Sequence, residues 1–115
     1  MNRNIAAFQN SLLGLARAAR TETAVRQELI LLALSIPLAF WISASGWTRL
    51  ALIGLVALTL VVEVLNTAIE KLCDHVTPAR HPVIGYIKDL GSLAVLIMLC
   101  ITAAGWALAL WQRFW

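Results

Sequence analysis

Three long apolar runs divide this chain, at about residues 29–45, 47–69 and 90–111. A helix needs roughly 17–25 mostly apolar residues to cross the hydrocarbon core of a bilayer, and each run approaches or exceeds that length. The chain has 115 residues, of which 61% are hydrophobic and only 13% are charged, as is typical of integral membrane proteins. Backbone polar groups must be paired internally inside hydrocarbon, so such runs form helices. We therefore predict an all-α membrane protein, a single domain over residues 1–115, with three transmembrane helices.

The segment before the first apolar run has the pattern of an amphipathic helix. Between residues 4 and about 20, Ile5, Phe8, Leu12 and Leu15 recur at intervals of three and four. Most polar side chains of this segment fall elsewhere on the helical wheel. A helix of this kind lies in the membrane interface. The pattern allows two roles, an anchor or a cover over a site at the membrane surface, and does not choose between them.

The basic residues are unevenly distributed around the three runs. Four arginines precede the first run and three basic residues lie between the second and third, whereas only Arg49 and Arg113 lie on the opposite side. Basic residues are enriched in cytoplasmic segments of membrane proteins. We therefore expect the N-terminus and the long loop to be cytoplasmic and the C-terminus to face outward. This distribution accounts for the net charge of +3 without a nucleic-acid partner.

A glutamate, Glu63, lies inside the second apolar run. It is followed at offsets of +3, +4, +7 and +11 by Asn66, Thr67, Glu70 and Asp74. These offsets predict that all five side chains share one face of a helix. A charged carboxylate costs roughly 2.5 kcal/mol or more at the bilayer centre, so it indicates a functional site by default. The structural alternative is a protonated buried carboxyl or a polar clamp between helices.

Further carboxylates lie toward the expected cytoplasmic side. Glu70 follows Glu63 by seven residues, or about 10 Å along the helix axis. This separation suits a base at the lipid and a metal ligand at the level of the headgroups. Glu22 and Glu28 lie on the same side, and Mg²⁺ typically uses one or two protein carboxylates together with substrate phosphates. The alternatives are an ordinary interfacial charge for Glu70 and a solvated helix end, paired with Arg26, for Glu22 and Glu28.

Three sequence blocks resemble the small prokaryotic diacylglycerol kinase family. They are VEVLNTAIE at 62–70, IKDLGSLAVL at 87–96 and TETAVRQE at 21–28, which is similar to the segment before the family's first span. The similarity covers nearly the whole chain. It implies a homotrimer, with an N-terminal surface helix and three transmembrane helices in each subunit. It also implies sites shared between subunits, so we expect Glu22 and Glu63 of one site to come from different chains.

The resemblance also implies an activity and a set of site residues. Family members transfer the γ-phosphate of MgATP to a lipid hydroxyl, and we expect conversion of diacylglycerol to phosphatidic acid at the cytoplasmic face of the inner membrane. The catalytic base falls on Glu63, with Asn66 beside it, and the Mg²⁺ ligands fall on Glu22 and Glu70, which also contact the nucleotide. The lipid substrate is expected near Glu63 and Ser92. The further nucleotide contacts are Lys88, Asp89, Arg3, Asn10, Arg80 and His81.

Three alternative functions are compatible with parts of the sequence. The same family contains undecaprenol kinases, although GSLAVL and the tryptophan-rich C-terminus favour the diacylglycerol branch. A small proton-coupled multidrug exporter would use one membrane glutamate, but four spans with the glutamate in the first are expected there. A non-catalytic membrane assembly subunit, with the acids as clamps between helices, would leave Glu22, Lys88 and Asp89 without a joint role.

Overall fold

The computed structural model describes residues 3–77, 79 and 81–115, and these residues are almost entirely helical. The described part of the chain contains no β-strand, which confirms the all-α prediction. Its four helices are α1 (Arg3–Thr21), α2 (Thr23–Ile42), α3 (Gly46–Val76) and α4 (Pro82–Phe114).

By length and composition, α2, α3 and α4 are each able to cross a membrane, which confirms the prediction of three candidate spans. The helices α3 and α4 contain 31 and 33 residues. At 1.5 Å per residue they are about 46–50 Å long, whereas the hydrocarbon core is about 30 Å thick. α4 begins eight residues before the third apolar run because Pro82 suits the first helical turn, where its missing N–H is not needed. The polar ends of both helices therefore extend beyond the apolar runs.

The helix α1 has the amphipathic character that the sequence predicts. None of its residues is buried, and its apolar side chains, among them Ile5, Phe8 and Leu12, remain exposed. A single extended residue, Glu22, separates α1 from α2. Arg26 on α2 donates hydrogen bonds back to the carbonyl oxygens of Ala19 and Arg20, at 3.1 and 3.4 Å. These bonds satisfy carbonyls that the end of α1 leaves unpaired and fix its direction relative to α2.

The helix α3 is the centre of the chain, because it packs against both α2 and α4 while those two barely touch each other. Thr59 on α3 and Thr102 on α4 are hydrogen-bonded through their hydroxyls at 2.8 Å. Trp106 on α4 donates its indole N–H to the carbonyl oxygen of Leu52 at 3.1 Å. Hydrogen bonds and close packing hold helices together where surrounding lipid offers no hydrophobic driving force.

Candidate active site

A cavity of about 340 Å³ opens at the polar end of the bundle, between the α1–α2 junction and the C-terminal part of α3. We call it the acidic cavity, because four carboxylates are among the residues that line it. Carboxylate oxygens facing a solvent-accessible space are ligands for hard cations and acceptors for protons. The lining residues are Thr21, Glu22, Thr23, Ala24, Glu63, Thr67, Glu70, Lys71 and Asp74.

The α3 side of the acidic cavity carries the predicted polar face. Glu63, Thr67, Glu70 and Asp74 all line the cavity, as their offsets predict. Glu63 is half-buried and Glu70 is exposed, so the first acid lies deeper than the second. The Thr67 hydroxyl donates to the Glu63 backbone carbonyl at 2.9 Å, so it is satisfied within α3. The cavity therefore has a deeper carboxylate, Glu63, and an outer carboxylate, Glu70.

Asn66 lies at the edge of this face and is not among the residues that line the cavity. At 100° per residue, an offset of +3 lies about 60° to one side of Glu63, at the edge of the polar stripe. The structure turns Asn66 toward α4, where it is buried with 7% of its surface exposed. Its Nδ2 still donates a hydrogen bond to Glu70 Oε1 at 2.9 Å. Asn66 therefore supports the Glu70 carboxylate from behind and does not line the cavity.

Glu22 enters the acidic cavity from the α1–α2 junction. It occupies the N-cap position of α2 with extended backbone angles, φ −115° and ψ 114°. Its Oε1 lies 2.6 Å from Lys71 Nζ, although this buried oxygen has no aligned hydrogen-bond donor among the described residues. Lys71 is 68% exposed, so the ion pair contributes little to stability and is easily opened. Neither Lys71 nor its contact with Glu22 was predicted, since no motif in the sequence marks that lysine.

The donor set of the acidic cavity fits a hard divalent cation that is only partly held by protein. No three His, Cys, Asp or Glu side chains in the described ranges are grouped closely enough to hold a metal alone. The buried Oε1 of Glu22, whose charged partner is the exposed Lys71, and the carboxylate of Glu70 nevertheless line one space. Mg²⁺ commonly takes one or two protein carboxylates and completes its shell with water and substrate phosphates.

The structure places Glu22 and Glu63 along one cavity of a single chain. The expectation that they come from different chains stays a prediction, although this shared cavity favours taking both from one subunit. The two residues are 41 positions apart, and they meet because α2 packs antiparallel along α3.

Glu28 also departs from its expected surroundings. It is buried, with 8% of its surface exposed, and the guanidinium of Arg26 binds α1 carbonyls instead of pairing with it. The interpretation of Glu28 as part of a solvated helix end is therefore wrong. Glu28 follows the buried Val25 by three positions and precedes the buried Ser35 by seven, so helical spacing places it on the packed side of α2.

Two of the predicted nucleotide residues lie in a second region, around the start of α4. Lys88 and His81 line a cavity of about 510 Å³, which we call the loop cavity. The His81 Nδ1 accepts a hydrogen bond from the Val83 N–H at 3.1 Å and so caps α4. Lys88 Nζ donates to Asp74 Oδ1 at 2.6 Å, which connects the loop cavity to the acidic one. The other residues that line the loop cavity are Thr77, Ala79, Pro82, Ile84 and Gly85.

Several predicted site residues are not brought to the acidic cavity within one chain. Asp89 and Ser92 are exposed on α4, and Arg3 and Asn10 are exposed on α1. Arg80 lies outside the described residues. Within one chain, Asp89, Ser92, Arg3 and Asn10 therefore lie outside the lining of the acidic cavity.

Comparisons with known proteins agree with the motifs. Residues 9–110 match the model of a family described as prokaryotic diacylglycerol kinase. The chain is similar to the diacylglycerol kinase of Escherichia coli strain K12, with 39% identity over 101 residues, covering 88% of this chain and 83% of that protein. It is 40% identical over 97 residues to the Pseudomonas aeruginosa PAO1 diacylglycerol kinase, covering 84% and 79%. The diacylglycerol kinase of Haemophilus influenzae is 38% identical over 96 residues, covering 84% and 81%.

Proposed function

Because this chain belongs to the prokaryotic diacylglycerol kinase family, we propose that it transfers the γ-phosphate of ATP to diacylglycerol, forming phosphatidic acid. The observation that carries the proposal is the acidic cavity, in which a deep carboxylate, Glu63, lies beneath the outer carboxylates Glu22 and Glu70. The three candidate spans make it a multi-pass membrane protein. We further propose one kinase domain over residues 1–115 in the inner membrane, with the N-terminus cytoplasmic and the C-terminus outward, on the basis of the uneven basic residues.

Glu63 is the proposed catalytic base. The lipid hydroxyl oxygen attacks the γ-phosphorus, its proton passes to the Glu63 carboxylate, and the bond between phosphorus and the ADP oxygen breaks. The half-buried position of Glu63, deeper in the acidic cavity than the exposed Glu70, supports this role. Phosphoryl transfer depends mainly on positioning and on charge stabilisation, so a small helical scaffold is sufficient.

Glu22 and Glu70 are the proposed ligands for Mg²⁺. When bound, the ion would offset charge on the ATP phosphates. Glu22 contributes a buried oxygen without an aligned donor, and Glu70 is held by the Asn66 amide. The Lys71 ammonium forms an ion pair with the Glu22 carboxylate, and it is exposed enough to move away. Asp74, also in the cavity lining, holds Lys88 at the rim, from which the lysine can reach phosphate oxygens.

A homotrimer with sites between subunits is part of the proposal. Within one chain the acidic cavity lacks Asp89 and Ser92, which lie exposed on α4. In a symmetric assembly, an exposed face of α4 can meet the cavity of a neighbour. We therefore assign Glu63, Glu22 and Glu70 to one subunit, and Asp89 and Ser92 to the next. The same interface would bring the remaining nucleotide contacts, Arg3, Asn10, Arg80 and His81, around the phosphates.

The test is phosphorylation of defined lipids by the purified protein in mixed micelles with radiolabelled ATP. We expect MgATP-dependent labelling of diacylglycerol that is lost in the Glu63→Gln variant. Preferential labelling of undecaprenol would instead support the other activity of the family. A proton-coupled exporter would label neither lipid, and it would be expected to have four spans where the described chain has three candidates.

A further inference from the structure

The helices α3 and α4 approach closely at Gly91, a buried residue one turn after Lys88 on α4. A methyl group built on Gly91 would lie closer than 3.0 Å to Asn66 Oδ1 and 3.1 Å from Asn66 Cγ. Real side chains essentially never approach a neighbour that closely, so either the helix or the amide would have to shift. The absence of a side chain at Gly91 therefore makes room for the amide of Asn66.

The Asn66 amide is held on its two sides by different elements. Its Nδ2 donates to Glu70 Oε1 at 2.9 Å. Its Oδ1 is buried against Gly91 and has no hydrogen-bond partner among the described residues. The carboxamide is planar and turns as a unit about one bond, so a rotation that displaces Oδ1 also displaces Nδ2 from its position beside Glu70. The space at Gly91 thus controls a hydrogen bond on the opposite side of Asn66.

Two contacts between α3 and α4 lie on either side of Glu70 along α3. Asp74 binds Lys88, and Asn66 contacts Gly91. Asp74 and Asn66 are each four residues from Glu70, on either side of it along α3. The start of α4 therefore brackets Glu70 without touching the face that it turns to the acidic cavity.

We propose that Gly91 is a positioning residue that acts through Asn66, holding the Asn66 amide where it aims the Glu70 carboxylate into the acidic cavity. This inference rests on the proposed function, in which Glu70 helps to hold the metal and nucleotide. The structural alternative is an ordinary small residue that lets two helices pack. A positioning role and a packing role have different consequences. Loss of packing lowers stability, whereas loss of a partner that orients a metal ligand lowers metal affinity or turnover by about 10–100-fold.

The chain offers a matched control on the same pair of helices. A methyl group on Gly105 would meet Leu55 Cδ1 at 2.5 Å, which is also a close approach between α4 and α3. That neighbour is the end of a flexible side chain, and Gly105 lies far from the acidic cavity, beside residues such as Trp47 and Leu108. Gly105→Ala therefore perturbs the same helix contact without reaching Glu70.

The experiment compares Gly91→Ala with Gly105→Ala in detergent. We expect Gly91→Ala to lower kcat by about 10–100-fold, with the lipid KM within about twofold of the native value. Direct titration of Mn²⁺, followed by its paramagnetic signal with a non-hydrolysable ATP analogue present, should show weaker binding by a similar factor. Gly105→Ala should retain native metal binding and kcat within about twofold, even where its unfolding temperature falls.

A double-mutant cycle, followed by the unfolding temperature, tests without using activity whether Gly91 acts through Asn66. Gly91→Ala should lower the unfolding temperature of the native protein, but it should have no further effect in an Asn66→Ala background, where the oxygen that it meets is gone.

A persisting loss in that background overturns the proposal, as does Gly91→Ala with native metal binding and kcat, or equal functional losses in both glycine variants. If Gly91→Ala alone does not fold, a folded double variant supports the contact and an unfolded one refutes it. Failure of the native chain to phosphorylate diacylglycerol would refute the proposed function instead, while the unfolding cycle would still decide the contact.

Discussion

Lys88 on α4 donates a hydrogen bond to Asp74 on α3, with 2.6 Å between Nζ and Oδ1. Asp74 lines the acidic cavity, whereas Lys88 lines the loop cavity, so this contact joins the two spaces at the polar end of the bundle. The Asp74 side chain is 60% exposed and the Lys88 side chain is 38% exposed. An exposed pair contributes at most about 1 kcal/mol, so Lys88 can exchange Asp74 for a phosphate oxygen at little cost.

Glu63→Gln should abolish phosphoryl transfer while leaving the fold and the assembly intact. Glutamine keeps the shape of the side chain but cannot accept the hydroxyl proton, and general base catalysis is worth about 10²–10⁴-fold. Lipid phosphorylation and oligomeric state are measured on the same detergent preparation. Gln112→Ala, at the opposite end of the bundle, serves as the control and should keep native turnover. Near-native activity in a folded Glu63→Gln protein would contradict the assignment.

Glu22→Ala and Glu70→Ala should each raise the Mg²⁺ concentration needed for half-maximal rate, by about tenfold or more. Both carboxylates line the acidic cavity, and each removal takes away a hard oxygen ligand. The measurement is a Mg²⁺ titration at saturating ATP, together with the lipid KM. The metal role would be refuted by an unchanged titration accompanied by a change in lipid KM alone.

Lys71→Met should have the opposite effect and lower the Mg²⁺ requirement. The Lys71 ammonium lies 2.6 Å from Glu22 Oε1 and so competes with a cation for that oxygen. Because an exposed ion pair is worth about 0.2–1 kcal/mol, we expect a shift of no more than about fivefold. Lys71→Arg keeps the positive charge and should leave the titration close to native. An increased requirement in Lys71→Met would instead indicate that the lysine contacts phosphate.

Two mixing experiments should distinguish residues of one cavity from residues of two subunits. Glu63→Gln chains unfolded and refolded with Asp89→Ala chains should recover about a quarter of native activity at equal mixing, if each site takes its cavity from one subunit and α4 from the next. Glu63→Gln mixed with Glu22→Ala should recover none, because both residues line the same chain's cavity. Crosslinking confirms that the subunits have mixed. Recovery only in the second mixture would refute this division of the site.

Thr59→Val should destabilise the bundle modestly without changing the Mg²⁺ response. The Thr59 and Thr102 hydroxyls are 2.8 Å apart inside the candidate spans. Hydrogen bonds between membrane helices average about 0.6 kcal/mol and reach about 1.7 kcal/mol. The free energy of unfolding is measured for Thr59→Val, Thr102→Val and the double variant. A coupling energy indistinguishable from zero would show that the bond contributes nothing in the membrane.

The sequence alone determined the helices, because they depend on local properties of the chain. Length and apolar content specify α2, α3 and α4 as candidate spans, and a spacing of three and four specifies the amphipathic α1. Periodicity also predicted that Glu63, Thr67, Glu70 and Asp74 share one face, since all four fall within about 60° of one another on a helix. The resemblance supplied the activity, which no spacing could give.

Tertiary structure decided which of these side chains meet, because that depends on how the helices cross. Asn66 lies at the edge of the polar stripe, and only the close approach of α4 at Gly91 turns it behind Glu70 and away from the cavity. The packing of α2 along α3 brings Glu22 to Glu63 within one chain and to Lys71, a contact between residues 49 positions apart. A sequence gives each residue's place on its own helix, but the distance between two helices and the rotation of each about its axis are set by the packing of all their side chains.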